Sequence, residues 1–117
     1  MIKFKSLNKS KQFFGILKKK KLNTKYFTIY FDKNLQDINK YLNISFVMKK
    51  KIGNSVKRNK IKRKLKSAVQ KVIQKRRQID FGCTYVIFGK NNVYKDKFSH
   101  VLDEMNAAFK KIKHLNG

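Results

Sequence analysis

Residues 49–66 read Lys-Lys-Lys-Ile-Gly-Asn-Ser-Val-Lys-Arg-Asn-Lys-Ile-Lys-Arg-Lys-Leu-Lys, ten basic side chains without one acid. Like charges this dense repel one another until a polyanion neutralises them, and a phosphodiester backbone is the commonest such partner. The chemistry on offer is grip, not bond-making. Arg58 and Arg63 contribute planar guanidinium forks that take phosphate with two parallel hydrogen bonds, where lysine gives a point charge. Asn59, between Arg58 and Lys60, can both donate and accept, which a pure charge patch does not need. The same amide equally suits a bond to a neighbouring side chain or water.

Bond-breaking chemistry finds little support elsewhere. The six acids, Asp32, Asp37, Asp80, Asp96, Asp103 and Glu104, are scattered, whereas a protein-only metal-dependent nuclease needs several converging carboxylates. His100 and His114 have no spaced partner and read as surface histidines. Cys83 is the single cysteine and reads as a small buried residue at the start of a strand. Without a second cysteine no intrachain disulfide forms, so a cytoplasmic protein is expected. No Gly-rich phosphate loop occurs, and no apolar run reaches signal-peptide or membrane-spanning length. A membrane partner is not expected.

The charge sits on a folded scaffold. Hydrophobic residues make up 41% and aromatics 13%, too many for a wholly disordered basic tail, while the net charge is +25. An AT-rich coding sequence would account for part of the lysine excess, 27 Lys against four Arg, but not for the near-absence of acids. One domain over residues 1–117 is expected, its first eight residues flexible.

Periodicity supplies the elements. From about Lys9 to Lys19, Phe13, Ile16 and Leu17 mark a short amphipathic helix closed by Lys18 to Lys21. Tyr26 to Phe31 is a strand by β-branched and aromatic content, with Phe27, Ile29 and Phe31 suited to a core. Tyr26, Thr28 and Tyr30 suit a wet groove. Asp32 to Leu42 connects to a second strand, Asn43 to Lys50, with Ile44, Phe46 and Met48 on one side. Gly53-Asn54 turns the chain into a long helix from Ser55 to about Arg77, whose buried stripe is Ile61, Leu65, Ala68, Val69, Val72 and Ile73. On its wheel Arg58, Lys62, Lys66, Asn59 and Arg63 share one arc that adjoins and partly overlaps the apolar one. Cys83 to Phe88 is a third strand. Asn91 and Asn92 lead to a last helix with Phe98, Val101, Leu102, Met105, Phe109 and Ile112 on one face. The order α-β-β-α-β-α implies a single sheet with helices packed on it.

The run from Gly53 through Ser55, Arg58, Asn59, Lys60, Lys62 and Arg63 to Lys66 resembles the signature of the bacterial ribonuclease P protein subunit. There a Lys-Lys-x-Gly-Asn-Ala-Val turn leads into Arg-Asn-Arg-x-Lys-Arg. Length, basicity, the helix bearing Phe13 and the aromatic strand agree too, so the resemblance covers nearly the whole chain. Ser55 replaces the usual Ala, Lys60 the usual second Arg, and Leu17 stands where a second aromatic is common. Lys60 keeps the charge but loses the bidentate fork.

The resemblance implies an α+β fold, an α/β sandwich with a single mixed sheet and a long central helix in a left-handed β-α-β crossover, against the usual hand. It implies an endoribonuclease holoenzyme in which a catalytic RNA removes the 5′ leader of precursor tRNA and the protein alone is inactive. Mg2+ is then expected mainly on the RNA, and DNA is not an expected partner. Arg58, Asn59, Lys60, Lys62, Arg63 and Lys66 would bind RNA. Phe13, Leu17, Tyr26, Thr28 and Tyr30 would line a leader cleft between the central helix and the sheet, rimmed by Arg58, Asn59 and Lys62. Single-stranded RNA is held this way, on aromatic faces within a positive groove. Phe13 equally suits core packing. A basic ribosomal protein and a nonspecific nucleic-acid-binding protein remain alternatives.

Overall fold

The computed structural model describes residues 3–5, 15–33, 41–76, 79 and 82–116. Strands β1 (Lys3–Lys5), β2 (Lys20–Asn23), β3 (Phe27–Lys33) and β4 (Tyr41–Val47) precede a 3-10 turn at Lys50–Ile52. Helix α1 (Ser55–Arg76), strand β5 (Cys83–Gly89), the short α2 (Asn92–Lys95) and α3 (Phe98–Asn116) complete the chain. One five-stranded sheet runs in the order β1-β4-β5-β3-β2. It is mixed: β4 lies parallel to both β1 and β5, while β3 lies antiparallel to β5 and β2. Parallel neighbours need a crossover, and α1 provides it between β4 and β5.

Register explains which face is buried. Ile44, Tyr85 and Phe31 form one row across β4, β5 and β3, and Phe46, Ile87 and Ile29 form the next. These side chains meet the stripe Ile61, Leu65, Ala68, Val69, Val72 and Ile73 of α1, with Val101, Met105, Phe109 and Ile112 of α3. The Tyr85 and Phe109 rings pack edge to face at 5.1 Å. Each fully buried Val, Leu, Ile, Phe or Met among them stabilises the fold by roughly 1.5–3 kcal/mol. Gly89 permits the close approach of α1 to the sheet. A Cβ there would lie 2.9 Å from Ile61 Cγ2 and 3.0 Å from both Leu65 Cδ1 and Met48 Sδ.

Both helical stripes and the three expected strands are present, with shifted ends: β3 starts one residue later, and β4 stops at Val47. Two strands were not expected. Lys3–Lys5 falls in the segment read as flexible, and Lys20–Asn23 begins in the Lys18–Lys21 stretch read as a helix end. Segments of three and four residues with a single apolar side chain each, Phe4 and Leu22, are too short for a period to be read; they become strands because β4 and β3 offer edges to pair with. Lysine then blunts the new edges against further pairing. The expected N-terminal helix lies mostly outside the described residues, although Gly15 and Ile16 are helical. Most of the Asp32–Leu42 connector also lies outside them.

Candidate nucleic-acid interface

The turn that opens α1 is built by two residues. Gly53 has φ +154°, and a Cβ there would press on Lys57 Cδ at 2.7 Å. Asn54 then caps the helix: its Oδ1 accepts from the Lys57 amide at 2.9 Å, satisfying a donor that the first turn leaves unpaired. The cap sets the direction in which Lys57 and Arg58 leave the helix.

On the sheet face opposite the core, register brings Phe88 beside Thr28, and Tyr30 beside Val86. The Tyr30 and Phe88 rings meet edge to face at 5.5 Å and 72°. With Thr28 they floor a groove of about 830 Å³, walled by Leu17 and Ile52. Lys49, Lys51, Lys57 and Lys90 also line it, and none of its described lining residues is acidic. Lys49 Nζ stands 5.7 Å from the Phe88 ring centre. Lys90 is anchored, its Nζ donating to Asn23 Oδ1 and Thr24 O, each at 2.6 Å, while the Thr28 hydroxyl donates to the same Asn23 oxygen at 2.7 Å. An aromatic floor among lysines, one of them anchored, is suited to stacked bases with phosphates along the rim.

The expected cleft residues divide. Leu17, Thr28 and Tyr30 do line the groove. Phe13 lies outside the described residues. Tyr26 does not join them: it is buried, and its Oη donates to Asp96 Oδ2 at 2.7 Å. The reason is local, because Tyr26 sits in the bend before β3 and so escapes that strand's alternation. Asp96 and burial push the Tyr26 phenol up to about 12.

The basic motif forms a separate ridge. Arg58 and Lys62 are half-buried, while Asn59, Lys60, Arg63 and Lys66 are exposed. Arg58, Asn59 and Lys62 were expected to rim the groove but are not among its lining residues; Lys57, on the other flank of the buried stripe, is. Arg58 Nε is shielded from solvent and finds no acceptor among the described residues. Lys66 Nζ lies 6.0 Å from the Phe46 ring. Lys64 is already engaged: its Nζ donates to Val93 O at 3.0 Å and Asp96 O at 3.1 Å.

Sequence reasoning passed over Lys49, Lys51, Ile52, Lys57, Phe88, Lys90 and Asn91 as groove residues. The first four lie within or beside the basic run, and strand alternation puts Phe88 on the face of Thr84 and Val86. Lys90 and Asn91 carry no such signal, since their place depends on the β3–β5 register. Among the described residues no three His, Cys, Asp or Glu side chains come together around a possible metal ion. No described helix is long and apolar enough to cross a membrane.

Comparison with known proteins gives a consistent result. The family model described as Ribonuclease P matches residues 1–113. A ribonuclease P protein component from Carboxydothermus hydrogenoformans is 31% identical over 116 residues, covering 97% of this chain and 95% of that protein. Another, from Paramagnetospirillum magneticum, is 34% identical over 71 residues, which span 61% of this chain and about half, 52%, of that relative. The RNase P protein from Thermotoga maritima superposes with a TM-score of 0.68 at 25% identity, covering 92% of this chain and 96% of that one.

Proposed function

From the premise that this chain belongs to the ribonuclease P family, whose members are the protein component of an endoribonuclease holoenzyme, we propose a division of labour between its two basic surfaces. Family membership displaces the ribosomal and nonspecific-binding alternatives and implies partnership with the ribonuclease P RNA. In the proposed division, the groove holds the single-stranded 5′ leader of precursor tRNA. The ridge of Arg58, Asn59, Lys60, Lys62, Arg63 and Lys66 holds the catalytic RNA.

The observation that carries this reading is the floor of Thr28, Tyr30 and Phe88 beneath Lys49, Lys51, Lys57 and Lys90. Bases stack on exposed aromatic faces without regard to identity, at about 1–3 kcal/mol each, which suits leaders of varied sequence. Lysines along the rim meet phosphates and make binding fall with salt. On the ridge, Arg58 keeps a shielded Nε that a phosphate oxygen would satisfy. The RNA supplies the active site and carries the Mg2+ in this proposal. The protein improves substrate binding and helps stabilise the metal-dependent RNA fold.

The test is reconstitution with the catalytic RNA and measurement of precursor-tRNA cleavage at low magnesium. The proposal expects faster cleavage and tighter substrate binding than RNA alone gives. No gain in either, or cleavage by the protein without RNA, rejects it.

A further inference from the structure

Two groove-lining residues, Lys57 and Asn91, lead out of the groove to one exposed aromatic ring. Tyr94 follows Asn91 in α2, and its amide donates to Asn91 O at 3.0 Å. Its side chain is 42% exposed, one of three large apolar side chains exposed among the described residues. Lys57 Nζ lies 5.1 Å from the ring centre and Lys60 Nζ 6.0 Å. The same Lys57 lines the groove.

The ring is presented on a fixed base. Val93 beside it is fully buried, and Lys64 Nζ ties the carbonyls of Val93 and Asp96 to the central helix. Asp96, the acid nearest in sequence, is occupied by Tyr26 and Lys25. Exposed lysines at 95 and 97 flank the site. A solvent-facing aromatic ring on a tethered base, with the ammonium groups of one helix beside it, is complementary to a base and its neighbouring phosphate.

We propose that Tyr94 is a second stacking platform for single-stranded RNA. A strand seated in the groove continues past Lys57, so that one further base lies on the Tyr94 ring with its phosphate against Lys57, where the groove meets the Lys60 end of the ridge. The site rests on the reading of the groove as the leader's seat, and it lengthens the footprint at the groove's Lys57 end.

The experiment measures dissociation constants of the reconstituted holoenzyme for precursor tRNAs whose leaders are lengthened one nucleotide at a time. Wild type is compared with Tyr94→Ala, Tyr94→Phe and Tyr30→Ala. Tyr94→Ala is expected to weaken binding about fivefold or more, the lower end of base–aromatic stacking. Leaderless tRNA should bind as before, and Tyr94→Phe should restore binding. The loss should set in at a leader length different from that for Tyr30→Ala, because the two rings hold different nucleotides. No loss at any length, an equal loss on leaderless tRNA, or an onset identical to that of Tyr30→Ala overturns the proposal. If Tyr30→Ala alone shows a leader-dependent loss, the groove reading stands and the Tyr94 platform falls. If neither does, both fall. A measurement on the unaltered chain guards against folding effects: leaders carrying a single 4-thiouridine should photocrosslink to the segment around Tyr94 from one leader position. No crosslink there from any position contradicts the platform.

Discussion

Tyr26 and Asp96 stand 70 residues apart, and the phenol Oη donates to Asp96 Oδ2 at 2.7 Å. Lys25 Nζ reaches the same carboxylate oxygen at 3.4 Å. The bond ties the bend before β3 to the segment between α2 and α3, and Lys64 ties that segment to α1. The tyrosine that strand alternation assigned to the groove is instead one of the fastenings beside it.

This fastening has a pH signature. The phenol is raised from its ordinary 10.0 to about 12, first by the Asp96 hydrogen bond, then by burial and the charges of Asp96 and Glu104. Because the folded-state value is the higher one, the contribution is whole below pH 10 and is lost as pH climbs through about 12. Urea unfolding at stepped pH should show the advantage of wild type over Tyr26→Phe shrinking across that window. A constant difference would contradict the bond. Asp96 has the opposite sense. Its carboxyl is held below its ordinary 3.8, chiefly by Tyr26, so its contribution is present above 3.8 and lost as pH falls further.

Lys64 and Arg63 are neighbours with different work. Lys64→Met should cost about 1–3 kcal/mol of stability, because two carbonyls lose a charged donor, and should leave the salt dependence of RNA binding unchanged. Arg63→Ala should barely alter stability but lower the slope of log affinity against log salt by about one. Denaturant titration and binding at several salt concentrations check both. Exchanged outcomes would invert the assignment.

Gly89→Ala should destabilise the fold by about 1–3 kcal/mol, since its new methyl meets Ile61, Leu65 and Met48 in a filled core. A lowered denaturation midpoint with unchanged slope is the expected result; an unaltered midpoint would mean that α1 can move aside at little cost.

What the chain made legible was whatever repeats at a fixed period. The stripe from Ile61 to Ile73 and the alternation of Phe27, Ile29 and Phe31 state their own burial, and all are buried. The basic motif was equally plain, because charge without acids is a local property. What could not be read depends on partners distant in sequence. Lys3–Lys5 is a strand only beside β4, and Lys20–Asn23 only beside β3. Lys90 enters the groove because Gly89 pairs with Phe27. Lys64 looked like one more cation of the run, and nothing in its neighbours announces the two carbonyls it serves.

That the groove grips a single-stranded 5′ extension is the proposal on which the others rest. Its most direct test compares dissociation constants of the reconstituted holoenzyme for precursor tRNA with and without a 5′ leader, in wild type and in the Tyr30→Ala/Phe88→Ala double variant. The variant should lose roughly fivefold or more on the leader-bearing substrate, with leaderless tRNA bound as tightly as before. Equal losses on both substrates, or none on either, would contradict it.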